Sequence, residues 1–320
     1  MSKLSGTTML LTVEQSKDHG VWLEMRNQGI GGSDAGIIMG VNPWKSAYTL
    51  WKEKTGQIEP EDISGKEVVY WGKVQEDLIA KRFEELNGKK VTRCGTVCKD
   101  GTPWLLANVD RLVVGEKAGL EIKTTSAYND DEWREDEDGQ HLPDTYYWQC
   151  MHYMLVTGLP KWYVAVLIGG QHYVQMELPR DEEAIQALYK AENEFWNTNV
   201  VQNVPPAVDG SQSTSDTLAM EFPGGNEDTL DLTVEAGPIY QLLQQEKEKK
   251  KEADATIKDL QNKIKAMMGN CETARIGEDK VTWKTYEGKT KVDEKKLQKE
   301  FPDVYEQVLK VGKPTRIFRA

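Results

Sequence analysis

Cysteine is scarce in this chain: four residues in 320, at Cys94, Cys98, Cys150 and Cys271, with no Cys-x-x-Cys pair. Such scatter excludes a disulfide scaffold and argues against a zinc or iron–sulfur centre; it fits free thiols in a reducing cytosol. Long apolar runs are also lacking, so no segment reads as a membrane span, and the N-terminus has no signal-peptide pattern. The expectation is a cytoplasmic protein without a membrane partner. An excess of positive charge is the third absence: 40 Lys and Arg stand against 52 Asp and Glu, a net charge of −12. A protein that grips DNA on an open face needs a basic stripe to displace counterions. Any DNA contact is therefore confined to a groove or a ring interior. Part of the acid is local, in the run Asp-Asp-Glu-Trp-Arg-Glu-Asp-Glu-Asp at 130–138, which reads as a solvated, mobile loop.

Aromatic residues are plentiful, with ten Trp and twelve Tyr, which argues for a packed core. Hydrophobic periodicity predicts helices at 21–27, 47–54, 67–86, 143–156 and 181–196, and strands at 90–96, 104–114, 120–125, 161–168 and 172–178. In the helix at 67–86, Val69, Trp71, Val74, Leu78, Ile79 and Phe83 form one broad apolar face. Ser33, after Gly29-Ile30-Gly31-Gly32, reads as a helix N-cap. Residues 204–226 are rich in Pro, Gly, Ser and Thr and read as a linker or a long surface excursion. A helix at 238–268 follows, with short strands at 273–276, 281–286 and 315–318 and a helix at 294–300. The organisation expected is a domain at 1–203, a linker at 204–233, and a helix with a small α+β extension at 234–320.

The chemistry-bearing pattern is Asn108-Val109-Asp110-Arg111 followed by Leu120-Glu121-Ile122-Lys123. Side chains alternate along a strand, so Glu121 and Lys123 share a face and Ile122 points to the core. Pairing of the two strands around the turn at 115–119 brings Asp110 opposite or diagonal to Glu121, within reach of one ion. Hard oxygen ligands suit Mg²⁺, with Mn²⁺ as substitute. A lysine beside such an ion can orient or deprotonate a water. Glu76 on the preceding helix is a further ligand candidate; its ordinary alternative is an exposed helix glutamate beside Lys73 or Lys81. Gln149 and Tyr153 stand one helical turn apart. The amide can orient the water or the lysine, and the hydroxyl can touch a phosphate; simple helix packing is the alternative.

Asp110, Glu121-Ile122-Lys123 and Gln149-x-x-x-Tyr153 together resemble the PD-(D/E)XK nuclease core, including the Gln-x-x-x-Tyr element of RecB-type nucleases. The segment Arg26-Asn27-Gln28-Gly29-Ile30-Gly31-Gly32-Ser33-Asp34-Ala35 resembles the N-terminal motif of YqaJ-type viral recombinases, relatives of the phage lambda exonuclease. Trp71-Gly72-Lys73-Val74-Gln75-Glu76 and the stretch 149–158 fit the same family, as does the tail at 281–284 and 301–305. The likeness covers about 21–199 as a nuclease module, and Val109 stands where the family usually has proline. It implies an α/β fold: a restriction-endonuclease-like core of a mixed sheet flanked by helices, with the C-terminal extension added. It implies a 5′→3′ exonuclease on linear double-stranded DNA that leaves 3′ overhangs for a RecT-like single-strand annealing protein. It also implies a homotrimeric ring in a phage or prophage protein acting in a bacterial host. By position, Asp110 and Glu121 bind Mg²⁺, the Ile122 carbonyl adds a ligand, Lys123 activates water, and Glu76 and Gln149 support the pocket. Arg26 and Ser33 match positions that hold the terminal 5′-phosphate, which suits a bidentate guanidinium and a hydroxyl at a helix start.

Two rival readings share these residues. One is an endonuclease of the same superfamily acting in restriction or repair; the other is a DNA-end-binding adaptor without catalysis. In the tail, Ala253, Ile257, Leu260, Ile264 and Met267 repeat at alternating four- and three-residue spacing, a short coiled-coil seam below a charged stretch at 246–252. That stripe must be buried on something: the tail's own strands, or the annealing protein held beside the DNA exit.

Overall fold

The computed structural model describes residues 4–133, 135–136, 139–310, 312 and 316–320. They form two compact units, Met1–Glu221 and Phe222–Ala320.

The first unit begins with strand β1 (Thr7–Leu11) and helices α1 (His19–Asn27), α2 (Gly32–Ile38), α3 (Ala47–Lys54) and α4 (Glu67–Asn87). Strands β2 (Val91–Thr92), β3 (Thr96–Lys99), β4 (Thr102–Ala107), β5 (Arg111–Val113) and β6 (Ala118–Thr125) follow, then the two-residue strands β7 (Glu135–Asp136) and β8 (Gly139–Gln140). Helix α5 (Asp144–Thr157), strands β9 (Lys161–Ile168) and β10 (His172–Pro179) and helix α6 (Glu182–Glu194) come next, with a π-helical turn at Phe195–Val201. Helix α7 (Gln212–Glu221) closes the unit.

The main sheet has the order β10-β9-β6-β5-β2, mixed because β6 and β9 run parallel while the other pairs are antiparallel. A parallel pair needs a crossover, and α5 supplies it between β6 and β9. A second sheet, β1-β3-β4, is antiparallel. Core residues fall in three groups. One lies between α5, β9 and β4, including Met151, Met154, Trp162 and Leu105. One seats Ile79, Ala80 and Phe83 of α4 on Leu120, Ile122 and Ala165. The third joins Ile37, Leu50 and Trp51 to Phe195. The mixed sheet flanked by helices is the α/β architecture expected.

The structure differs from the sequence reading at several points. The strands expected at 90–96 and 104–114 are each broken, because the chain passes between the two sheets at 93–95 and at 108–110. The apolar face of α4 is buried only at Ile79, Ala80 and Phe83; Trp71, Val74 and Leu78 are about half exposed or more. The N-cap of α2 is Gly31, with Ser33 inside the first turn. The stretch expected as a linker or surface excursion contains α7, whose Thr217 hydroxyl lies 2.8 Å from that of Thr49, while Glu221 pairs with Lys52 at 2.7 Å. These polar contacts to α3 need no apolar periodicity, which is why pattern reading passes over them. The acidic run at 130–138 lies partly outside the described residues. Its described part includes a 3₁₀ turn over Ala127–Glu132 and a buried Trp133.

The second unit has one long helix, α8 (Thr233–Met268), a hairpin of β11 (Thr273–Ile276) and β12 (Asp279–Thr282), and short helices α9 (Glu294–Glu300) and α10 (Pro302–Val308). Of the strand expected at 315–318, Thr315 lies outside the described residues and 316–318 carry no regular structure.

Candidate active site

Strand β6 is the third of five, so its residues are covered on both sides. Ile122 enters the core beside Ile79 and Phe83, and Glu121 and Lys123 therefore share the opposite face. The β5–β6 register places Arg111 opposite Leu120, which leaves Asp110, just before β5, across from Glu121. Asp110 Oδ2 accepts the Ile122 backbone N–H at 2.8 Å, locking the carboxylate to the neighbouring strand.

Helix α5 crosses above this pair and delivers Gln149. Its Nε2 donates to Glu121 Oε1 at 2.7 Å and to the Tyr153 hydroxyl at 2.9 Å. Lys123 Nζ lies 2.5 Å from Glu121 Oε1, donates to Gln149 Oε1 at 3.2 Å, and sits 4.7 Å over the Tyr146 ring. Glu121, Lys123 and Gln149 thus close a small ring, in which each holds the other two. The Tyr153 hydroxyl donates in turn to the Asn108 carbonyl at 3.2 Å, tying the helix to the loop that carries Asp110. Burial, with Glu121 and Asp110 nearby, holds the Tyr153 phenol protonated. Tyr153, expected to touch a phosphate, is only 4% exposed, and its hydroxyl is engaged by Gln149 and the Asn108 carbonyl, so here it positions Gln149.

The electrostatics are those of an anion pair short of positive charge. Burial, then Glu121 and Glu76, push the Asp110 carboxyl well above the usual carboxylate range, against the opposing pull of Lys123 and the Ile122 N–H. Burial disfavours the Lys123 ammonium, but Glu121 and Asp110 outweigh it and leave its pKa raised. Glu121 Oε2 is buried without a hydrogen-bond partner. An orphaned buried carboxylate oxygen is costly unless something positive meets it.

Glu76 does not stand free beside the pair. Its Oε1 is 2.5 Å from Arg111 NH1, and Asp77 Oδ1 is 2.5 Å from Arg111 NH2 and 2.7 Å from Arg93. Arg111, 4% exposed, also donates to the Asp110 carbonyl at 2.6 Å. Sequence reasoning named Arg111 only as the neighbour of Asp110; its clamp on α4 needed the fold. Among the described residues no three His, Cys, Asp or Glu side chains are gathered to hold an ion. The donor set that fits one is Asp110 with Glu121, since Mg²⁺ commonly takes one or two carboxylates and keeps several waters. The orphaned Glu121 oxygen and the charge imbalance at Asp110 both fit such an ion.

A second cluster lies at the α1–α2 junction. Arg26 donates to Ser33 Oγ at 3.0 Å and to Asp34 Oδ1 at 3.2 Å, with its guanidinium 5.5 Å over the Trp22 ring. Asp34 is fully buried and also pairs with Lys54 at 3.0 Å. Lys54 Nζ holds the carbonyls of Arg26 and Gly29 at 2.8 and 2.7 Å. Asp34 and Lys54 were missed as a pair; Asp34 stood in the motif, but Lys54 is twenty residues on and reads as an ordinary helix lysine. The two clusters are joined by close packing of α2 on α5. A Cβ at Gly32 would lie 2.5 Å from the Tyr153 ring, and one at Gly36 2.6 Å from Thr145 Oγ1. Only glycine permits that approach.

The family model for a YqaJ-like viral recombinase domain matches residues 21–160. The YqaJ protein of Bacillus subtilis (strain 168) is 43% identical over 301 residues, covering 93% of this chain and 92% of that protein. Similar solved structures include an alkaline exonuclease (LHK-Exo) from Laribacter hongkongensis, at 16% identity and a TM-score of 0.46, covering 57% of this chain and 92% of that one. A phage related exonuclease from Haemophilus somnus 129PT gives 12% identity and a TM-score of 0.43, covering 55% and 96%. No described helix is long and apolar enough to cross a membrane. With that degree of identity over nearly the full length of both sequences, the chain belongs to the YqaJ-like viral recombinase family.

Proposed function

We propose that the protein is a Mg²⁺-dependent 5′→3′ exonuclease on linear double-stranded DNA, leaving 3′ overhangs for recombination with a RecT-like annealing protein. The observation that carries this reading is the Asp110–Glu121–Lys123 constellation with its unpartnered Glu121 oxygen. Asp110 and Glu121 would hold the ion. When bound, it supplies a Lewis acid for the scissile phosphate and lowers the pKa of a coordinated water. The ring of hydrogen bonds holds Lys123 Nζ beside Glu121, where it would meet the attacking water, and keeps Glu121 from rotating away. Gln149 supports both, and Arg111 fixes Glu76 at the rim. At the other cluster, Arg26 and Ser33 would meet the 5′-phosphate; Asp34 and Lys54 set the loop that presents them. A chain this acidic holds duplex best inside a closed ring, where a few inward-facing cations focus the field; a threefold head-to-tail interface makes such a ring.

The test is digestion of end-labelled linear duplex, with 5′-phosphate and 5′-hydroxyl ends compared and closed circular DNA as control, with Mg²⁺ or chelator. Expected is loss of label from 5′ ends of linear DNA only, faster from phosphorylated ends and abolished by chelation. Cleavage of closed circles would favour an endonuclease. DNA-end binding without cleavage in Mg²⁺ or Mn²⁺ would leave an adaptor.

A further inference from the structure

The seam of α8 (Thr233–Met268, one unbroken helix) can be followed past the charged stretch at 246–252. Continuing the alternating spacing toward the N-terminus passes through Lys250, Glu246, Leu243 and Ile239 in the same register, and stops beside Pro238. The unit's own strands do not cover this stripe: Ile239 is 69%, Ile257 51% and Leu260 53% exposed, and Leu243 is half-buried. The charged interruption is a matched pair, one glutamate and one lysine four residues apart.

We propose that α8 pairs with α8 of a second copy of this chain, antiparallel, about a twofold axis at residue 248. In this register Glu246 meets Lys250 of the second copy, and Lys250 meets its Glu246. The next layers outward set Leu243 on Ala253 and Ile239 on Ile257. Large residues meet small or branched ones throughout, as seam packing requires. A parallel pair fails at the centre: Glu246 would face Glu246 and Lys250 would face Lys250. The two central layers are polar and related by the axis, and buried polar seam positions are a known way to set register and orientation. The contact is isologous, so it closes at two copies and is separate from any threefold contact of the first unit. If that unit forms rings, α8 pairs link one ring to another.

The full-length protein, carrying Cys271→Ser, tests this by light scattering over a range of concentrations and by disulfide trapping. Ile257→Asp with Leu260→Asp, both at exposed positions, should weaken self-association on the order of a hundredfold and lower the mass by a factor of two. Glu246→Lys alone should weaken pairing, and Glu246→Lys with Lys250→Glu should restore it. Leu243→Cys mixed with Ala253→Cys should cross-link under mild oxidation, while neither cross-links alone. The proposal is overturned if the double aspartate variant keeps the wild-type mass, or if Leu243→Cys or Ala253→Cys alone cross-links, which marks a parallel pair. Circular dichroism of the variants, unchanged, shows that a mass loss is not unfolding.

Discussion

The buried pair Asp34–Lys54 makes a quantitative prediction. Asp34 is wholly inaccessible and the Lys54 side chain only 3% exposed. Burial works against the Asp34 carboxylate, but Lys54, Arg26 and the Gly31 N–H outweigh it and hold its pKa well below the ordinary range. Burial also pulls the Lys54 ammonium below its ordinary range despite Asp34, so the pair favours one partner and strains the other. Removing one charge strands its mate in the interior, at a cost of about 3–5 kcal/mol, whereas removing both is far milder. Lys54→Met should therefore lower the melting temperature by about 6–20 °C, given ~2–4 °C per kcal/mol for a unit of this size. Asp34→Asn should do the same, and the double variant should be more stable than either. The pH dependence follows from the sign of the Asp34 shift. Its folded pKa lies below the unfolded value of 3.8, so its stabilisation is complete above that value and is lost as pH falls below it. Asp34→Asn should flatten that acid limb. Thermal unfolding followed by circular dichroism between pH 2 and pH 7 reads all of this. Two single variants within ~1 kcal/mol of wild type, or a double variant as unstable as the sum of the singles, would refute the reasoning.

Other predictions rest on single contacts. Lys123→Ala should retain duplex binding while cleavage drops by about two orders of magnitude or more, because the aligned group at the nucleophile is gone; near-normal digestion in a single-turnover assay would remove Lys123 from the chemistry. Arg26→Ala should erase much of the preference for 5′-phosphate ends, about ten- to a hundredfold for a lost charge-assisted contact, and equal loss on hydroxyl ends would point to a structural role. Arg111→Met frees Glu76 and Asp77 at the rim and should raise the Mg²⁺ concentration for half-maximal cleavage about 10–100-fold, with Arg111→Lys partly restoring it; an unchanged metal titration would count against the clamp. Gly36→Ala sets a methyl 3.0 Å from the Thr145 Cα, a backbone atom, and should destabilise by about 1–3 kcal/mol in a denaturant melt. A neutral result would mean that α2 and α5 separate freely.

Local pattern was enough for most helices and for the core hairpin. Apolar period and glycine stops are short-range signals, and α3, α4 and the β9–β10 hairpin sit where those signals put them. The alternation of Glu121, Ile122 and Lys123 was likewise legible, since a strand's faces follow from backbone geometry alone. The sequence order of the motifs carried the family resemblance. What tertiary structure decided are contacts between residues far apart in the chain. Arg111 closing on Glu76 and Asp77, and Lys54 entering the interior to meet Asp34, depend on which helix packs where. Gln149 and Tyr153 carried no sign of which would reach the site; the crossover of α5 over β6 gave the amide to Glu121 and buried the phenol. Helix α7 escaped notice because hydroxyls and one ion pair hold it to α3, and polar partners 168 and 169 residues apart leave no periodic trace. The division follows from range: backbone preference and amphipathic period act within a few turns, whereas a buried charge finds its partner only when the chain has closed on itself.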